Sequence, residues 1–120
     1  MPSKRLLTMD RQGEFNIFAY GPNHCGVVED LKIKYRMVCE CEARLDKRGF
    51  LFDQINVDNY FKSIKRSKLS CEKLTVRCVR ELVKAIKLEN PKCLIRKVDL
   101  TLSPAPFLAS MTYTWENNSL

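Results

Sequence analysis

The chain has 120 residues, enough for one domain with a single core, and its 45% hydrophobic and 29% charged residues exclude an extended disordered protein. No apolar run approaches the roughly 20 residues of a membrane span, and the first residues, MPSKRLL, lack a signal peptide's apolar segment, so we expect a cytoplasmic protein with no membrane partner. The net charge of +7 favours anionic partners, and nucleic acid is one candidate among them.

Four stretches of the chain have the composition or the alternation of β-strands. Segment 14–20, EFNIFAY, is rich in aromatic and β-favouring residues and stops at a Gly-Pro pair. Residues 31–45 alternate strictly, with apolar side chains at odd positions and almost only charged ones at even positions. Residues 94–102 and 107–115 alternate in the same way, with the break SPAP between them. Together they predict two pairs of strands.

Two stretches between these strand pairs have the period of amphipathic helices. Residues 56–65 place apolar side chains at i, i+3, i+4 and i+7, with Asn56 as the predicted N-cap. Residues 71–87 form a stronger pattern, with Ser70 as the predicted N-cap and Glu72 in the first turn, where an acid suits the helix dipole.

The resulting order, β-β-α-α-β-β, predicts an α+β fold in which a four-stranded antiparallel sheet carries two helices on one face. We interpret residues 1–120 as one such domain, with flexible ends at 1–12 and 116–120. The other face of an antiparallel sheet commonly carries polar side chains. Along 31–45 that polar face has charges of both signs: Lys32, Lys34, Arg36, Glu40, Glu42 and Arg44.

The cysteines and the single histidine limit the metal chemistry of the chain. None of the six cysteines forms a C-x-x-C pair, and Cys39, Cys41 and Cys78 fall on apolar faces, where we expect buried reduced thiols. Because His24 is the only histidine, one chain cannot form a three-histidine zinc site. Its neighbour Cys25, in a loop, is the candidate nucleophile. We expect no metal and no cofactor.

Glu72 allows two interpretations. It is a first-turn acid that the helix dipole stabilises, or it is an anchor that accepts two N–H bonds from a planar, amidine-like ligand edge. The residues alone do not decide between them.

Three stretches resemble the tunnelling-fold (T-fold) superfamily. They are ARLDKRGFLFDQINVDNYF (43–61), LSCEKLTVRCVREL (69–82) and VDLTLSPAP (98–106). The superfamily includes 6-pyruvoyl-tetrahydropterin synthase, 6-carboxy-tetrahydropterin synthase and dihydroneopterin aldolase. In the resemblance, Glu72 matches the aldolase glutamate that holds the pterin ring. The match to the synthases' strand-turn-helix signature consists of Leu45, Asp46, Gly49 and Asp53.

The chain departs from the catalytic motifs of these enzymes. When Cys25 is placed on the cysteine of the synthases' C-x-x-x-H-G-H zinc motif, Glu29 and Leu31 stand at histidine positions. The synthases' C-terminal pterin-holding glutamate falls near Leu102 or Ser103, and the aldolases' lysine falls at Ser103. The resemblance therefore implies the fold without the known catalytic sets.

The resemblance also implies an assembly and a type of ligand. T-fold sheets join edge to edge in a closed homo-oligomer whose polar faces line a tunnel. Pterin or purine-like rings bind between subunits, which makes Glu72 and Ser103 the candidate ligand-binding residues and Cys25 the candidate catalytic one. Three functions remain open: a T-fold protein without zinc-dependent synthase activity, an active pterin-type lyase or aldolase with altered residues, and, less favoured, a basic module that binds nucleic acid or protein.

Overall fold

The computed structural model describes residues 5–19 and 29–117, and these residues have the predicted α+β class. The described part of the chain contains five strands and two helices. In chain order they are β1 (Leu6–Ala19), β2 (Glu29–Glu42), α1 (Ile55–Ser63), β3 (Arg66–Ser67), α2 (Cys71–Glu89), β4 (Leu94–Pro104) and β5 (Met111–Glu116).

The strands form one sheet in the order β3-β1-β2-β4-β5. All its pairs are antiparallel except β3, which lies parallel to the end of β1 and is held there by a 2.8 Å bond from Phe18 N to Lys65 O. The prediction of four strands, all antiparallel, was therefore wrong because it missed β3 and its parallel pairing. A strand of two residues is too short to produce any alternation that a sequence pattern could reveal.

Strand β1 begins at Leu6, well before the predicted start at residue 14. Residues 6–12, predicted to belong to a flexible end, pair with β2, and Leu6 lies opposite Glu42. The prediction missed this half of the strand because Arg11 and Gly13 occupy positions that face the helices and interrupt the apolar alternation.

The core lies between the sheet and the two helices. The odd-numbered side chains of β2 from Ile33 to Cys41 are buried, and α1 packs on β1 while α2 packs across β4 and β5. The predicted apolar stripe of α2 is buried in the same core. One cluster of apolar side chains thus joins both helices to the same face of the sheet, as predicted.

The two helices begin differently. Helix α2 begins after Ser70, whose Oγ accepts a bond from Lys73 N at 3.3 Å, so the predicted N-cap is confirmed. Helix α1 begins at Ile55, and Ile55 N donates to the carboxylate of Asp53 at 3.1 Å. The predicted N-cap Asn56 was wrong, because it already lies in the first turn of α1.

The segment between β2 and α1 is fastened to the end of α2. The Glu89 carboxylate accepts a bond from Asp53 N at 2.6 Å. Buried Asn90 donates from Nδ2 to the carbonyls of Arg44 at 3.2 Å and Leu51 at 2.9 Å. These bonds fix the stretch whose sequence resembles the strand-turn-helix signature.

The predicted last strand, 107–115, was wrong for residues 107–110. Strand β5 begins only at Met111, and Phe107 has a φ of 68°, which is incompatible with an extended strand. The ring of Phe107 instead lies 4.2 Å from the ammonium of Lys34.

Charges on the polar face of the sheet pair within one chain. Arg36 contacts Asp10 at 2.7 Å and Lys32 contacts Glu14 at 3.6 Å, each across β1 and β2. The hydrogen bond from Arg36 lowers the pKa of the Asp10 carboxyl. The sequence placed these charges correctly on the face opposite the helices, with partners that it did not identify.

Glu42 and Arg44 do not continue this polar face. Glu42 is 7% exposed and lies 3.2 Å from Arg44 and 3.5 Å from Arg96, and Arg44 follows the end of β2. The register of β2 against β4 shifts between Glu40 and Cys41, which ends the simple alternation there.

The cysteines predicted to be buried are buried. Cys39, Cys41 and Cys78 are each 0% exposed, and the Sγ atoms of Cys39 and Cys41 lie 3.4 Å apart. Hydrogen bonding with Cys39 raises the pKa of Cys41 to about 12, so this thiol is unreactive at neutral pH.

In the described residues, no helix has the length and apolarity that a membrane crossing needs.

Candidate functional site

Glu72 lies exposed in the first turn of α2, at the edge of an open groove of about 710 Å³. The side chains of Leu69 and Val76 supply an apolar wall to this groove. We call this concavity the α2 groove; its other lining residues are Lys73, Arg77, Arg80 and Glu81.

The start of α2 offers hydrogen-bond donors beside this carboxylate. The amide of Lys73 bonds to the Ser70 side chain, and the amide of Leu74 bonds to the Ser70 carbonyl at 2.9 Å. The amides of Cys71 and Glu72 have no acceptor among residues 5–19 and 29–117. An acceptor-rich carboxylate and two available donors therefore stand together at the helix N-terminus.

Cys71 also lies at this position but does not supply a nucleophile. Its side chain is half-buried, and burial raises the pKa of its thiol. A raised pKa keeps the thiol protonated at neutral pH, and the protonated form is a poor nucleophile. Recognition by hydrogen bonding is therefore the chemistry that this end of α2 supports.

Ser103 lies on β4 opposite Lys34 of β2, which places it on the polar face of the sheet. Helix α2 covers the other face, so one chain does not bring Ser103 and Glu72 into one site. The alternative position for a pterin-holding glutamate, Leu102, is 0% exposed and belongs to the core.

The candidate nucleophile Cys25 and its neighbour His24 lie outside the described residues, so their roles stay predictions. Leu31, at one of the zinc-histidine positions, is half-buried and packs against the core. Among residues 5–19 and 29–117, no three His, Cys, Asp or Glu side chains are close enough to hold a metal ion.

A second concavity was not predicted. It has a volume of about 250 Å³ and lies between α1 and α2, with β3 at its side. We call it the interhelix pocket. Its polar residues come from three successive elements and the residues between them: Ser63, Lys65, Arg66, Ser67, Arg77 and Glu81.

No protein-family model and no curated protein sequence matches this chain. Solved structures do match it, each over 94% of this chain and 99% of the other. A catalytic-residue mutant of Plasmodium vivax 6-pyruvoyltetrahydropterin synthase superimposes with a TM-score of 0.63 at 7% identity. The enzyme from Plasmodium falciparum gives 0.59 at 9%, and a second P. vivax structure gives 0.56 at 9%. The chain thus has the T-fold of 6-pyruvoyltetrahydropterin synthase, as its sequence resemblance implied.

Proposed function

We propose that this chain is a T-fold subunit of a closed homo-oligomer that binds a flat pterin or purine-like ring at Glu72, without zinc-dependent synthase activity. The observation that carries the proposal is the exposed Glu72 carboxylate in the first turn of α2, beside the open α2 groove, on this fold. The ligand class comes from the resemblance to enzymes that handle pterins, and the geometry of the groove is compatible with it.

The chemistry of the groove suits the edge and the face of such a ring. No side chain in the described part of the chain bonds to the Glu72 carboxylate, so both its oxygens are available to an N–H pair. Bidentate, charge-assisted bonds of this kind are strong where water is excluded. The apolar side chains of Leu69 and Val76 offer contact to a ring face, and the amides of Cys71 and Glu72 offer donors to a ring oxygen.

The edges of the sheet support assembly. In the described chain, β3 covers β1 only at Phe18 and Ala19, and β5 pairs with β4 alone. Residues 6–17 of β1 and the outer side of β5 therefore present unpaired backbone donors and acceptors, which favour pairing with another chain. Strands β1 and β5 run in opposite directions, so β5 of one copy can continue the sheet by antiparallel pairing with β1 of the next.

Assembly would also complete the ligand site. The α2 groove is open on one side, and Ser103 faces away from it within the same chain. A neighbouring subunit would close the groove and exclude water from Glu72, which strengthens its hydrogen bonds. Ser103 contributes to a site only through such a neighbour.

The chemistry of a synthase is not proposed, because Glu29 and Leu31 stand at the histidine positions of the synthases' zinc motif in the resemblance. The alternative of an active lyase or aldolase with altered residues would use Cys25 as its nucleophile. If the wild-type chain turns over dihydroneopterin and Cys25→Ala does not, the protein is an enzyme and not only a binding protein.

The ligand proposal is tested with Glu72→Gln. We expect calorimetry to detect binding of neopterin or guanine to the wild-type chain and a loss of about 1.5–3 kcal/mol in the variant, because a bond to a charged acceptor becomes a neutral one. The free energy of unfolding should fall by only about 0.3–1 kcal/mol, the usual contribution of a first-turn acid. Glu116→Gln, which removes an acid at the end of β5, is the control and should bind normally. Absence of binding to the wild type would contradict the proposal.

The assembly proposal is tested by sedimentation at micromolar concentration, where we expect one closed oligomer. Tyr113→Pro and Thr114→Pro are paired variants in β5. Because N–H direction alternates along a strand, one of these prolines removes a donor from the outer edge and the other removes one facing β4. We expect the outer-edge variant to yield folded, smaller species. A wild-type monomer would contradict the proposal.

A further inference from the structure

The interhelix pocket carries more positive than negative charge. Its lining includes the cations Lys65, Arg66 and Arg77 and one carboxylate, Glu81. Neither Lys65 nor Arg66 has an acidic partner in the part of the chain that the structure describes. Arg77 contacts Glu81 through Nε at 2.9 Å, which leaves the outer nitrogens of its guanidinium available to a ligand.

Groups that would repel an anion are neutralised on the α1 side of the pocket. The C-terminus of a helix has exposed carbonyls with partial negative charge. Here the Tyr60 carbonyl accepts a bond from the Ser63 hydroxyl at 2.5 Å, and the Phe61 carbonyl accepts one from Ile64 N at 3.1 Å. Burial raises the pKa of the Tyr60 phenol, so this side chain is neutral at physiological pH.

The pocket also contains a suitable neutral donor. The Ser67 side chain is buried, and its Oγ accepts a 3.0 Å bond from Leu69 N. A hydroxyl that accepts one bond still has its own proton to donate. Cations and hydroxyl or amide donors around one concavity are the groups that recognise a phosphate oxygen.

We propose that the interhelix pocket binds a phosphate group, with Lys65 and Arg66 as the main contacts and Arg77 and Ser67 as supporting ones. This site adjoins the α2 groove and shares Arg77 and Glu81 with it, but the proposal does not rest on the ring-binding role of Glu72. A concavity of about 250 Å³ accommodates one phosphate group, and a small phosphorylated molecule is the source that its limited size favours. A nucleic-acid backbone presents the same chemistry along an extended track.

The first test is an NMR titration of the ¹⁵N-labelled full chain with inorganic phosphate, with chloride added to keep ionic strength constant. We expect saturable amide shifts centred on residues 63–67. The double variant K65A/R66A should bind phosphate about tenfold more weakly or worse, as the loss of a charge-assisted bond predicts. K84A/K92A is the matched control: it removes the same charge from exposed positions that do not line the pocket and should bind as the wild type does.

The second test uses a substitution that should raise the affinity for phosphate. Glu81→Gln removes the one carboxylate of the pocket and releases Arg77, so phosphate should bind several-fold more tightly. Glu116→Gln, an equal change in net charge on β5, should leave the affinity unchanged. This pair separates a defined site from general attraction to a basic protein.

A third arm identifies the source of the phosphate group. The full chain is titrated with a single-stranded oligonucleotide. Oligonucleotide binding whose affinity falls steeply with salt and that is lost in K65A/R66A would support the site and assign it to a nucleic-acid backbone. Binding of phosphate with no such oligonucleotide binding would assign it to a small molecule. The proposal is overturned if phosphate produces no saturable shifts, or if K65A/R66A and K84A/K92A weaken binding equally.

Discussion

Replacing Phe61 with alanine should lower the free energy of unfolding by about 3–5 kcal/mol. Phe61 is 0% exposed and its ring stacks on Tyr35 at 4.1 Å and on Phe15 at 5.1 Å between ring centroids. The side chain therefore joins α1 to two adjacent strands, and its removal leaves a cavity that these aromatic rings cannot close without leaving their own contacts. Denaturant unfolding measures the change, at one fixed protein concentration because assembly would add to the stability.

Phe50→Ala is the matched control for this substitution. It removes the same side chain from a position that is 47% exposed, so the loss should be about 1 kcal/mol or less. Similar losses in the two variants would contradict the packing of α1 on β1 and β2.

Replacing Gly13 with valine should cost about 3 kcal/mol, the upper end of the range for overpacking. A Cβ at this position would lie 2.6 Å from Cε2 and 2.7 Å from the hydroxyl oxygen of Tyr35. The Tyr35 ring cannot move away cheaply, because it stacks on Phe61 and its hydroxyl donates to the Asp58 carboxylate at 3.0 Å. Gly13 has no positive φ, so it is the contact that requires a glycine.

A double-mutant cycle identifies this contact. Tyr35→Leu destabilises the wild-type chain but should recover part of the loss caused by Gly13→Val, since the shorter side chain leaves room for the new methyl groups. The same Tyr35→Leu change should not rescue Gly49→Ala, because Gly49 has a φ of 84° and no neighbour within 4 Å of an added Cβ. Additive losses for the Gly13 and Tyr35 substitutions would contradict the close approach.

The pair Gly13 and Tyr35 also explains how much of the fold the sequence predicts. Strand β2 and helix α2 were predicted nearly to their ends because their burial is decided by uniform periods of apolar residues. Strand β1 was predicted only in its second half, because Gly13 takes an inward position that a cross-strand tyrosine fills. The alternation of apolar residues is evaluated within one strand. It therefore cannot reveal an apolar face that a side chain of the neighbouring strand completes.

The candidate sites divide in the same way. The position of Glu72 followed from a local signal, the Ser70 cap and the acid two residues later, and the structure places it as expected in the first turn. The interhelix pocket has no signal within a single element, because Arg77 and Glu81 lie on α2 while Lys65 and Arg66 lie just before and within β3. The parallel contact of β3 with β1 fixes Arg66 and Ser67 at the side of this concavity.

That short parallel contact also limits how copies of the chain can misassociate. A strand added to the outer edge of β1 meets β3 at Phe18 and cannot slide further towards Ala19. Sliding by a single residue would exchange the two faces of the added strand and place its charged side chains against the apolar layer. β3 thus prevents an added strand from shifting its register in one direction. A variant that cannot form β3 should be more prone to disordered, fibre-like aggregation through the outer edge of β1.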